Sequence, residues 1–97
     1  MDANELLRQY EAGIRDFTSV NLSAVNMEGA ILQSAVFDEA ILDGANLSRA
    51  NLSHARLIGA DLNGANLTNA DLSGADLSNA ILDGAILDGA ILDHANL

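Results

Sequence analysis

From Ala30 onward the chain is written in fives. Fourteen consecutive pentads, Ala30 to Ala95, begin with Ala, and the residue two places on is Leu in all of them but one, where it is Phe37. The same phase runs back through Met27, Leu22 and Phe17, with Val25 and Val20 in the Ala place. That makes seventeen pentad centres, fourteen of them Leu, and such a register excludes chance. A period of five fits neither standard element. On an α-helix five steps overshoot a full turn by about 140°, so the Leu residues would spiral around the axis. On a flat strand an odd period sends successive Leu residues to opposite faces.

All the Leu side chains share one side only if the chain bends once per pentad. Ala and Leu, two apart, then face inward from a short extended segment, and the residue between them faces out. With a bend of roughly a right angle, four pentads close a square coil of about 20 residues, and successive coils stack about 4.8 Å apart through backbone hydrogen bonds. Seven of the eight Gly fall on the second bend position: Gly29, Gly44, Gly59, Gly64, Gly74, Gly84 and Gly89. Asn69 and Asn79 share that position, which suits the positive φ of a type II turn. Where it holds Ser34, Glu39, Arg49, His54 or His94, another turn type is expected. The reading is an all-β solenoid, a quadrilateral β-helix of about four coils, with Ala letting the walls approach and Leu filling the middle.

A solenoid must cover its terminal coils. Asp2 followed by Glu5 three residues on resembles a capping box. Leu6, Leu7, Tyr10 and Ile14 approximate one helical face, and Gly13 offers a stop. Residues 3–12 are therefore read as a short α-helix lidding the first coil. The domain division is a helical cap over 1–14 and a β-helix over 15–97. The C-terminal end has no such device: Leu92 and Leu97 would be exposed with unpaired backbone, and Ile81, Ile86 and Ile91 face outward on three different sides. This end is a candidate self-association surface, with a homodimer through the last coil as the expected form.

Charge and composition narrow the function. Fourteen Asp and Glu against four Lys and Arg give a net charge of -10, which disfavours direct binding to nucleic acid or anionic membranes. With no Cys, disulfides and thiolate metal sites are excluded. No apolar run is long enough to span a membrane, and MDANELLRQYE is not a secretory signal, so a cytoplasmic setting is expected. His54 and His94 share a column two coils apart, about 10 Å, too far to hold one ion between them. No nucleophile or phosphate-binding motif is present, and the two Thr, Thr18 and Thr68, form no array. No catalytic, cofactor-binding or metal-binding residue is assigned, no enzyme is expected, and a filled convex coil is expected to lack a pocket. Asp43, Asp61 and Asp83 form an acidic face with no basic residue in its columns. Elsewhere Arg56 is expected to pair with Asp76, and Asn26, Asn46 and Asn66 to form a side-chain ladder.

The recurring Ala-(Asp/Asn)-Leu pattern resembles the pentapeptide-repeat family, over residues 15–97, and most nearly its small cyanobacterial members. Ten of the seventeen middle positions carry Asp or Asn, as at Asn46, Asp61 and Asp76; Ile31, Val36, Ile41, Arg56, Ile81, Ile86 and Ile91 depart from it. The resemblance implies a right-handed coil and two readings of function. One is a non-enzymatic structural or protein-interaction module. The other is a mimic of duplex DNA that modulates DNA gyrase, as some family members do by occupying its DNA-binding saddle.

Overall fold

The computed structural model describes all 97 residues. Helix α1 spans Ala3–Glu11, one residue shorter than the spacing predicts. The Asp2 carboxylate accepts the Glu5 N–H at 2.8 Å, satisfying one of the unpaired donors of the first turn. At the other end Gly13 takes φ +99°, and the Gly13 and Ile14 N–H groups donate back to Tyr10 and Gln9. This is the six-to-one and five-to-two pairing of a Schellman stop. Leu6 is fully buried, and Ala3, Leu7 and Tyr10 pack partly against the core. Ile14 lies beyond the helix and is exposed, so it does not share the buried face expected of it.

From Asp16 onward every pentad makes one parallel bridge to the pentad four places on: Asp16 to Val36, Asn21 to Ile41, Asn26 to Asn46, Ile31 to Asn51, and so to the end of the chain. The bridge spacing of 20 residues defines four sides, each one extended residue wide, which is why no long strand forms. Three backbone bonds link each pentad to the next coil. Leu42 and Gly44 donate to the Asp61 and Asn63 carbonyls, both at 2.8 Å, and Asp61 donates to Ala40 at 2.9 Å. Two donors thus point toward the C-terminal end for each one pointing back. Inside, Ala and Leu from Leu32 to Leu77 form one continuous buried cluster, each deeply buried Leu contributing about 1.5–3 kcal/mol. The molecule measures 29 × 23 × 22 Å.

The bends are more uniform than the sequence suggests. Each closes with the N–H of the next pentad's first residue donating to the central residue, as Ala65 does to Leu62 at 3.0 Å. Positive φ occupies the second bend position throughout, at Ser34, Glu39, Arg49, His54 and His94 as well as at the glycines and asparagines, with Ser19 and Ala24 besides. The expectation of a different turn there is corrected. Four of these residues use the bend to reach the next coil: Ser34, Glu39, Arg49 and His54 donate their N–H groups to Ser53, Ile58, Thr68 and Ser73. Side chains at this position lie over the coil that follows. A Cβ added at Gly59 would sit 2.7 Å from Glu39 Oε1, and one at Gly74 2.6 Å from His54 Nδ1, so at these two places glycine also makes room.

The left-handed conformation costs a residue with a Cβ about 1–2 kcal/mol, partly offset by the greater chain entropy that glycine loses on folding, about 0.5–1 kcal/mol. Ala24, at φ +59°, is exposed, so its methyl group contributes little burial for glycine to forfeit. Ala24→Gly is expected to raise stability by about 0.5–1 kcal/mol, read as an upward shift of the urea midpoint; a lowered midpoint would contradict the assigned bend.

Candidate interaction surfaces

The outward middle position of each pentad begins a short polar shelf. Where it is Asp or Asn, its side-chain oxygen accepts the N–H two residues on, as in Asn46 to Ser48 and Asn66 to Thr68. The Ser or Thr hydroxyl often donates to the same oxygen, as in Asn51–Ser53, Asp71–Ser73 and Asp76–Ser78. The Asn26, Asn46 and Asn66 column is in register, but its amides bond within their own turns and not to one another, so the expected ladder is absent. Local bonding wins because the acceptor is already two residues from its donor and needs no rotamer matched across coils.

Arg56 occupies this position without an acceptor of its own, and Asp38 of the preceding coil fills in. Asp38 Oδ1 accepts the Ile58 N–H at 3.1 Å, and Oδ2 pairs with the Arg56 guanidinium at 2.7 Å. Arg56 is thereby drawn back to Asp38, not forward to Asp76 as expected. Arg49 pairs with Glu28.

Hydrogen bonds from Ser73 and Thr18 hold the Asp71 and Asp16 carboxyls below the ordinary value of 3.8, with the hydroxyl contributing most and the backbone N–H next; Ser78 does the same for Asp76. A lowered folded-state pKa contributes stability that is present above 3.8 and is lost as pH falls through the folded value. Asn makes the same bonds in this position, as Asn51 and Ser53 show. The double variant Asp71→Asn, Asp76→Asn is therefore expected to match the parent near pH 7 and lose less stability as pH falls below 3.8, measured by urea midpoints. Parallel pH profiles would contradict it.

Asp43, Asp61 and Asp83 lie on one side. Ile41, Asp61 and Ile81 bridge in series, and Gly44 and Gly64 donate to Asn63 and Asp83, setting Asp43, Asn63 and Asp83 in one column. Neither ion pair of the molecule involves them. Asp43 and Asp61 are half-buried and Asp83 is exposed.

Ile81, Ile86 and Ile91 bridge to Asp61, Asn66 and Asp71, which puts them on three different sides, each exposed. Leu92 is half-buried and Leu97 is 70% exposed. Along the edge of this last coil the N–H groups of Leu82, Gly84, Leu87, Gly89, Leu92 and His94 have no backbone partner, nor do the Ala80, Ala85 and Ala90 carbonyls. Donors outnumber acceptors two to one there, as the polarity of the coil bonds requires.

At the other end a cleft of about 360 Å³ lies between α1 and the first coil, lined by Leu7, Tyr10, Glu11, Gly29, Ala30 and Ile31. The expectation of no pocket fails here because it considered the filled coil alone, and this cleft lies where α1 meets the coil. No three His, Asp or Glu side chains are grouped to hold a metal ion, and no helix is long and apolar enough to cross a membrane.

A model of pentapeptide repeats matches the chain in eight copies, over residues 16–53, 30–69, 45–84 and 70–97. The chain belongs to the pentapeptide repeat family. Its coil is accordingly the family's right-handed quadrilateral β-helix. A pentapeptide repeat protein of Nostoc PCC 7120 is 39% identical, with a TM-score of 0.91 over 92% of this chain and 74% of its own. HetL, a pentapeptide repeat protein involved in heterocyst differentiation regulation in Nostoc sp. strain PCC 7120, is 42% identical over 82% of this chain and 39% of its own, with a TM-score of 0.46. QnrB1, a plasmid-mediated fluoroquinolone resistance protein, shares the fold at 20% identity, with a TM-score of 0.59 over 82% of this chain and 47% of its own. No curated protein matches this pentapeptide repeat protein in sequence.

Proposed function

We propose that this pentapeptide repeat protein is a non-enzymatic protein-interaction module, a rigid β-helix of four coils lidded by α1 that presents its sides and its C-terminal edge to other proteins. One observation carries the reading. Every buried side-chain polar atom is satisfied and the interior is Ala and Leu with Phe17, Met27 and Phe37, all apolar, so polar chemistry is confined to outward positions. The charged side chains among them are mostly acidic and repel nucleic acid, which favours protein partners.

A second copy is the first partner to test, docking through the last coil. Because the edge offers two donors per acceptor, a tail-to-tail pair leaves half its donors unmatched, and association falls to Leu92, Leu97 and the outward Ile side chains. Light scattering at several concentrations is expected to give a dimer that reverts to monomer when Ile91→Asp and Leu92→Asp are combined. A monomer at every concentration would overturn this part.

The acidic side favours a second reading, a DNA-mimicking modulator of DNA gyrase. Asp43, Asp61 and Asp83 run along the axis without a cation between them, on a body 22–23 Å across. Under this reading the protein inhibits gyrase supercoiling, and reversing the three to Lys abolishes inhibition without changing the melt. Supercoiling unaffected by excess parent protein would remove it.

A further inference from the structure

The cleft beneath α1 is a pocket of mostly apolar lining. Leu7, Tyr10 and Glu11 line it from the helix and Gly29, Ala30 and Ile31 from the coil, with Glu11 as the only charged lining residue. Ile31 is 63% exposed, although the residues below it in its column are polar, Asn51 and then Asp71. Nothing lies within 4 Å of where a Cβ on Gly29 would sit, so there is open space beside that residue.

The helical wall is held in place. The Tyr10 hydroxyl donates to the Gln33 carbonyl at 2.8 Å. The Arg15 guanidinium lies 3.6 Å from the centre of the Tyr10 ring and donates to the Tyr10 carbonyl at 2.7 Å. A site already ordered in this way loses little freedom on binding. Its volume is at the lower end of the range for ligand sites, about 300–1,000 Å³, suited to one large apolar side chain with its flanks.

Charge selects the occupant. Arg49 and Arg56 are engaged in ion pairs and Arg15 covers Tyr10, which leaves Arg8 as the one arginine without such a contact in a chain of net charge -10. Glu11 has no ion-pair partner. We infer that the cleft docks a basic peptide segment of a partner protein, seating one aliphatic or aromatic side chain between Leu7, Tyr10 and Ile31 with an adjacent lysine or arginine against Glu11. The inference deepens the interaction-module reading by naming a surface and the chemistry of its partner.

Tyr10 is the only tyrosine and there is no Trp, so tyrosine fluorescence reports from the cleft wall itself. The probe is an amidated pentapeptide alternating arginine and leucine, with two controls: leucine replaced by serine, and arginine replaced by glutamine. The first peptide is expected to change Tyr10 emission saturably, with binding weakened as salt rises. Both controls, and the variant Ile31→Asn, are expected to weaken it by roughly tenfold, as loss of a central anchor does. Ile31→Asn introduces the residue present one coil on at Asn51, and an unchanged melt verifies its fold. Equal affinity for the serine peptide, or for Ile31→Asn, would reduce the binding to bulk acidity and overturn the inference, as would the absence of a saturable change. Light scattering and gyrase inhibition do not involve this cleft, so the wider reading stands or falls separately.

Discussion

Phe37→Ala is expected to lower the free energy of unfolding by about 3–5 kcal/mol, the upper range for a buried aromatic. Phe37 is the largest fully buried side chain, and its ring stacks on Phe17 of the preceding coil with centroids 5.5 Å apart and planes at 21°. The cavity left by truncation has little means to collapse. Phe37 N–H donates to Arg56 at 2.6 Å and Arg56 N–H donates to Ala35 at 2.9 Å, so the wall behind the ring is pinned to the next coil. Phe37→Leu tests the same place gently, since every later pentad has Leu there, and is expected to cost less than about 1.5 kcal/mol. In a chain of this size each kcal/mol moves the thermal midpoint by about 4–8 °C, so calorimetry separates the two variants clearly. Equal losses from both would mean that the ring does not fill the coil.

Ala65→Leu is the complementary change and is expected to destabilise by about 1–3 kcal/mol through overpacking. Ala65 is fully buried, between Leu62 and Leu67 of its own coil and in line with Ala45 and Ala85 of the coils on either side. Its wall has no slack: the Ala65 N–H closes a bend onto Leu62, and its carbonyl accepts from Ile86 at 2.9 Å. The adjacent position offers the control. Asn66→Ile adds comparable bulk one residue away, but outward, where Ile86 already stands one coil on. It is expected to cost less than Ala65→Leu, giving up only the bonds from Thr68. A calorimetric melt of Ala65→Leu that matches the parent would contradict the inward assignment of Ala.

The inward half of the molecule was legible in the sequence because a five-residue phase admits one solution for Ala and Leu. Every central residue from Leu22 to Leu77 is buried where the phase puts it, and the bridges repeat at four pentads. The bends were only half legible. Glycine and asparagine announce positive φ through propensity, whereas Glu39, Arg49 and His54 adopt it against propensity, with their N–H groups bonded to the next coil. Side-chain pairing on the outside was less legible still. Arg56 has carboxylates on both neighbouring coils, and the choice of Asp38 turns on a backbone donor at Ile58 that spacing does not reveal. Of the candidate surfaces, the acidic column follows from counting by twenty. The cleft does not, since it depends on how far α1 stands from Gly29 and Ile31, and no periodicity encodes that.

The central claim is that residues 20 apart are stacked neighbours while residues 15 apart are on adjacent sides. The chain has no Cys, so paired cysteines report on this without interference. Asn46 and Asn66 bridge one another, and strands so paired lie about 4.8 Å apart, within reach of a disulfide. With Asn46→Cys and Asn66→Cys combined, mild oxidation is expected to form an intramolecular disulfide quickly and raise the melting temperature. Asn46→Cys with Asp61→Cys is expected to remain reduced or to cross-link only between molecules. An intramolecular bond forming as readily at 15 as at 20 would contradict the four-sided coil.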